Sequence, residues 1–167
     1  MQKISPFLWF NNEAEEAANF YISVFKNSKI LHVARYSESG SKAAHQSKGS
    51  VMTVAFQIEG QNFTAINGGP VFKFTEAVSF VINCETQKEI DYYWEKLSEG
   101  GDPKAQQCGW LKDKFGLSWQ IVPRMLTELS RDKDQEKVER VMDAMMKMKK
   151  LDIHELEEAA EVHTVSH

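Results

Sequence analysis

Histidines, cysteines and methionines carry the most reactive side chains of this sequence, and their spacing argues against most catalytic uses. His32, His45, His154, His163 and His167 contain no HExxH or similar pair that would set two imidazoles toward one zinc ion. They read as surface or loop residues. His45 is set apart because it lies in a long polar stretch able to close over a site. Cys108 stands beside Gly109. It is either a small packed residue or a thiol activated by a nearby positive group such as Lys112 or Lys114. Met142, Met145, Met146 and Met148 offer thioethers for copper, but their helical spacing better fits an adaptable apolar face that seeks a core or a partner.

What remains is hydrogen bonding beside aromatic surface. Residues 108–123, CGWLKDKFGLSWQIVP, read as a β-hairpin: strand 109–112, turn 113–116, strand 117–122. Asp113 and Gly116 bracket the turn, where a short polar side chain and a residue without Cβ relieve backbone strain. Ser118, Gln120 and Val122 alternate with Trp119 and Ile121. A period of two gives a half-buried strand, one face for a core and the other presenting a hydroxyl and an amide.

The elements that position this hairpin follow from pattern. Residues 4–10 read as a strand with Pro6 near its start, where a missing N–H is tolerated. Asn12 and Glu15 have capping-box spacing, and Ala14, Ala17, Ala18, Tyr21, Val24 and Phe25 recur at helical intervals up to about Lys26. A strand over 29–36 follows. Residues 37–50 are polar, contain glycine, lack a period and read as a mobile loop. A hairpin over 51–58 and 62–66 turns at Glu59-Gly60-Gln61, and Asn67-Gly68-Gly69-Pro70 opens a linker. The pattern then restarts: a strand over 77–83, a capping box from Thr86 to Glu89, a stripe of Ile90, Tyr93, Trp94 and Leu97, a stop at Gly100-Gly101, and the hairpin. A shift of 72 positions lays Leu8 on Phe80, Asn11 on Asn83 and Tyr21 on Tyr93. The sequence is therefore read as a duplicated βαβββ unit, 1–69 and 75–123, with an α+β fold. Residues 124–167 form a helical extension. One or two turns over 125–130 precede an amphipathic helix over 134–150. A short helix capped by Asp152 and Glu155 follows, and residues 161–167 read as frayed.

Composition sets the remaining bounds. The 167 residues fit one domain or two small packed halves, and 10 Phe, 4 Trp and 4 Tyr are enough to fill a core. Twenty basic against 24 acidic residues give a net charge of −4, which argues against a general nucleic-acid binder. No segment is apolar enough for a membrane span, and MQKISPFLWF lacks the features of a signal peptide. Cys84 and Cys108 are then expected as free thiols in a reducing cytoplasm.

The duplicated unit ending in GWLKDKFGLSWQIVP, with PFLWFNNEAEEAANFY, FQIEGQNFTAINGGPVFKF and EAVSFVINCETQKEIDYYW, resembles the PhnB-like branch of the vicinal-oxygen-chelate superfamily. That superfamily contains glyoxalase I, bleomycin-resistance proteins and extradiol dioxygenases. The resemblance covers residues 1–123, and MKMKKLDI in the extension is similar to that branch as well. It implies that the two units curve into a cup of mixed sheet. Superfamily metal positions fall near Ser5, Asn67, Ala77 and at Gln120, none of them His, Asp or Glu, so no metal and no cofactor is expected. Proteins of this branch are often labelled demethylubiquinone methyltransferases. A strand followed by GxGxG is missing, and Gly68-Gly69-Pro70 reads as a turn and not a nucleoside cradle.

On this reading Phe7, Trp9, Thr53, Asn67, Ser79, Cys108, Trp110 and Gln120 line one concavity for a small organic ligand. The plainer alternative is that the aromatics fill the cup and the polar groups are structural hydrogen-bond partners. Two functions stay open: a metal-independent binding protein, or an enzyme of the superfamily with an atypical metal site. Exposed strand edges, and an apolar stripe of Val138, Val141, Met142, Met145 and Met148, point to a homodimer with the extension at its interface.

Overall fold

In the computed structural model, which describes residues 2–161, helix α1 (Ala14–Val24) buries Ala14, Ala17, Ala18, Tyr21 and Val24 along one stripe. The three alanines let its backbone approach a sheet closely. That sheet runs β1 (Phe7–Phe10), β4 (Gln61–Asn67), β3 (Val51–Ile58), β2 (Lys29–Arg35) in spatial order. The β1–β4 pair is parallel and the others antiparallel. Alternation decides which side chains meet the helix: Leu8, Phe10, Val54, Phe56, Ile58, Phe63 and Ala65 are buried. The Tyr21 and Phe56 rings stack at 6.3 Å. Glu59 (φ 46°) and Gly60 (φ 80°) turn the β3–β4 hairpin, both left-handed as a two-residue turn of this twist requires.

Three expectations for this unit need correction. Strand β1 starts at Phe7, not at residue 4; Pro6 contributes only its carbonyl, which accepts from Thr64 N at 3.1 Å. The Asn12–Glu15 capping box does not form, because the helix begins one residue later at Glu13 and no local side chain caps it. Residues 37–50 are not a structureless loop. Ser37 Oγ accepts from Gly40 N at 3.2 Å and starts α2 (Glu38–Ala44), which ends where His45 turns left-handed at φ 52°. Only Ser41 of that helix is buried, so no apolar period marked it in the sequence.

The chain divides into two compact units, the second starting at Thr75. Its sheet runs β5 (Ser79–Cys84), β7 (Ser118–Pro123), β6 (Trp110–Lys112), again parallel for the first pair and antiparallel for the second. Helix α3 (Gln87–Ser98) carries the expected Thr86–Glu89 capping box and buries Ile90 and Leu97. The displacement by 72 residues holds for the first strand and the helix. It fails afterwards: among the described residues this unit is βαββ, without a counterpart of β2. Pro103 and its Asp102 cap bend the connection into a 3-10 turn over Pro103–Ala105. Gly101 passes so close to the chain that an added Cβ would lie 2.1 Å from Lys112 O. In the β6–β7 turn Asp113 is buried; Oδ1 accepts from Phe115 N and Leu117 N, and Oδ2 from Trp119 Nε1.

The C-terminal extension belongs to this second unit. It forms α4 (Arg124–Leu129), α5 (Gln135–Met146) and α6 (Ile153–Glu161). Asp134 and Asp152 cap the last two through Lys137 N and Glu155 N. Helix α5 stops at Met146 and not at 150, because the chain turns there to pair with the start of the hairpin. Cys108 N donates to Met148 O at 2.9 Å and Gly109 N to Lys149 O at 2.8 Å. Leu129, Val141, Leu151 and Leu156 form a buried cluster, flanked by Val122, Val138, Met145 and Met148. Most of the apolar stripe therefore packs within its own chain, and Met142 and Met146 stay exposed. His163, His167 and the expected fraying of the last six residues lie outside the described residues.

Candidate functional site

Helix α1 covers one face of the first sheet, and alternation places Phe7, Trp9 and Thr53 on the other. Register aligns Trp9, Ile66, Thr53 and Ala34 in one cross-strand row, and Phe7, Thr64, Ala55 and His32 in the next. His32 and Thr64 thus join this face although neither stood out in the sequence. A bulge at Leu31 sets the register of His32, and bulges have no simple sequence signature.

Two residues of this unit have structural duties instead. Trp9 lays its indole on Gly68, where an added Cβ would sit 2.1 Å from the ring, and its Nε1 donates to Gly69 O at 2.9 Å. Gly68 N and Gly69 N donate to Phe10 O and Asn11 O, so the glycine turn offers no free amides to a nucleoside or phosphate. Asn67 is a correction to the expected site. It lies on the helix side of the sheet, buried, and its Oδ1 accepts from Ala14 N at 2.8 Å. It supplies the N-terminal partner of α1 that Asn12 does not. Its Nδ2 donates to Val51 O at 3.1 Å, and its carbonyl accepts from Tyr36 OH.

In the second unit Ser79, Trp110 and Gln120 lie together on the face turned away from α3. Gln120 pairs in register with Trp110 on one side and Val81 on the other, and its Nε2 donates to Ser79 Oγ at 2.9 Å. Helices α4 and α5 stand over this face and leave a cleft of about 830 Å³. Trp110, Gln120, Val122 and Cys108 form one wall; Val138, Met142, Met145 and Met146 form the other. Cys108, at φ 52°, sets its Sγ 3.7 Å from Met146 Sδ. Glu76 lines the rim and pairs with Lys112, whose hydrogen bond holds the carboxyl below the usual range. Leu126, Val138 and Glu76 were not foreseen, because they reach the hairpin only through the packing of the extension. Ser118 shares the face, and its buried Oγ has no partner among the described residues. Cys84 lies in the core, where burial, and then Glu89, push its thiol up to about 12. It is inert.

Among the described residues no three His, Cys, Asp or Glu side chains lie together as a metal site would require. The four positions implied by the superfamily hold Ser5, Asn67, Ala77 and Gln120, and both ends of the Asn67 amide are already hydrogen-bonded to the scaffold. These residues do not fit a divalent ion. No helix is long and apolar enough to cross a membrane among the described residues.

Comparison with known proteins agrees with the architecture. Residues 2–122 match the family model described as 3-demethylubiquinone-9 3-methyltransferase. The solved PhnB protein from Bacillus cereus is 39% identical with a TM-score of 0.62, and the match covers 73% of this chain and 99% of that one. The fosfomycin resistance protein FosX from Mesorhizobium loti is 13% identical (TM-score 0.54, 79% and 99% covered). FosX from Listeria monocytogenes is 16% identical (TM-score 0.52, 77% and 97% covered). These two show the fold alone. No curated protein matches the chain. The family match ends at residue 122, before the extension. With an α+β fold of two mixed, open sheets shared with the FosX proteins, and a match over nearly three quarters of its length, the chain belongs to the 3-demethylubiquinone-9 3-methyltransferase family, with the PhnB protein among its relatives.

Proposed function

We propose that this protein binds a small organic molecule and does so without a metal ion. The cleft over the second sheet carries the reading: an aromatic floor, an adaptable apolar wall and one fixed amide are the parts a small-molecule site needs. Its size suits a drug-sized ligand. The family name does not extend to methyl transfer in this reading, since the glycine turn beside Trp9 has its amides engaged. The fosfomycin resistance named for the FosX proteins does not extend either, because among the described residues the cleft lining contains no Lys, Arg or His to meet a phosphonate. The working form is a homodimer in the cytoplasm. The outer edge of β2 supports the first part, and two unpaired thiols support the second.

A thermal-shift screen tests the proposal. A ligand at a hundred times its Kd stabilises the folded state by about 2.7 kcal/mol. At roughly 2–4 °C per kcal/mol for a chain of this size, that raises Tm by roughly 5–11 °C. The shift is expected to survive EDTA. A screen without any shift removes the binding reading, and a stoichiometric divalent ion in the purified protein moves the reading to a metalloenzyme of the superfamily.

A further inference from the structure

We infer that the C-terminal extension builds the ligand site, and that the site it completes selects a neutral, flat, largely apolar molecule with a hydrogen-bonding edge. This rests on the small-molecule reading above and gives it a ligand class and a structural origin. Eight of the fifteen residues lining the cleft come from residues 124–161. The family match ends at residue 122, so the extension lies outside the part of the chain that the family model describes. Residues of α4 and α5 thus supply about half of the cleft over the second sheet.

The extension is also held in register. Gln87 on α3 donates through Nε2 to Leu151 O at 3.0 Å and accepts through Oε1 from Ile153 N at 2.8 Å. Lys150 pairs with Asp91 at 2.7 Å, and that hydrogen bond, with one from Gln87, holds the Asp91 carboxyl below its usual range. With the backbone bonds from Cys108 and Gly109, these fasten the segment just after α5. The methionine wall therefore has a fixed position, while each thioether side chain keeps its own freedom to fit a ligand.

The lining chooses the ligand class by charge and polarisability. It contains no cation among the described residues, and Glu76, its one carboxylate, is neutralised by Lys112. An anion would enter without a partner, at a desolvation cost. Trp110 facing Met142, Met145 and Met146 favours a planar ring, which stacks on the indole and meets sulfur on its other side. One end of the Gln120 amide is bound to Ser79, and the other end has no partner among the described residues. That end supplies a directed hydrogen bond from the sheet, and Gln107, Thr127 and Ser130 add polar groups elsewhere in the lining.

Fluorescence titration of the full-length protein with a matched pair of dyes tests this. N-phenyl-1-naphthylamine is neutral and carries one N–H; 8-anilinonaphthalene-1-sulfonate has the same rings and an anionic group. The neutral dye is expected to bind one per chain, and the sulfonate at least tenfold more weakly. Met142 and Met146 are 41% and 56% exposed, so Met142→Glu combined with Met146→Glu leaves the fold intact, as an unchanged melting curve checks. This double variant is expected to weaken the neutral dye at least tenfold. Ile4→Glu, which removes an apolar side chain 85% exposed elsewhere, controls for adsorption and changes nothing. Unchanged affinity in the double methionine variant overturns the role of the extension, and equal affinity for the two dyes overturns the ligand class. Loss of binding in Phe7→Glu with full binding in the methionine variant moves the site to the first sheet; small-molecule binding then stands and this inference falls. A wild-type protein that binds neither dye and no screened compound overturns both.

Discussion

Replacing Asn67 by alanine tests whether this residue holds the scaffold or meets a ligand. Two side-chain bonds disappear at once: the 2.8 Å bond that receives Ala14 N at the start of α1, and the 3.1 Å bond to Val51 O. Loss of an N-terminal helix partner costs about 0.5–2 kcal/mol. Leaving the Val51 carbonyl short of its donor in a part-buried place costs about 1–2 kcal/mol more. Together the change destabilises the first unit by roughly 2–4 kcal/mol, read as a shift of the urea midpoint at constant slope. Asn67→Asp sharpens the test. It keeps an acceptor at the positive helix end, but it sets a buried carboxylate against the Val51 oxygen, so no rescue is expected. An unchanged urea midpoint in Asn67→Ala would show that these two bonds do not hold the scaffold.

Gly109 holds φ +84°, and an added Cβ would meet Ile121 O at 2.9 Å and Leu151 Cδ1 at 3.0 Å. Gly109→Ala is therefore expected to cost about 1–2 kcal/mol in backbone strain alone and to loosen the extension, which limited proteolysis between α5 and α6 would detect as faster cleavage. Ser118 buries a hydroxyl without a partner among the described residues; Ser118→Ala should stabilise by about 1–2 kcal/mol, and a lower melting temperature would contradict that account. Light scattering at micromolar concentration is expected to give twice the chain mass of 19.1 kDa; a mass equal to one chain removes the dimer.

How much of this molecule was legible depended on how local each interaction is. The β6–β7 hairpin, the Thr86–Glu89 cap and the buried stripes of α1 and α3 rest on contacts between residues a few positions apart, so spacing alone announced them. The family fold was legible for the same reason, carried by two strand–helix beginnings displaced by 72 residues. Helix α2 escaped because a cap and ion pairs, not an apolar period, define it. The cap of α1 escaped because its partner, Asn67, is 53 residues away and on another element. Gln120, Trp110 and Ser79 were found by alternation and do share a face. The cleft in front of them was not, since half its lining reaches the sheet only when the buried cluster of Leu129, Val141, Leu151 and Leu156 folds the extension back. Periodicity, a property of neighbouring residues, announced the face of most helix and strand side chains, Asn67 and the bulged stretch before His32 excepted. Tertiary structure decided what stands opposite that face, because burial of a distant apolar stripe has no local cause.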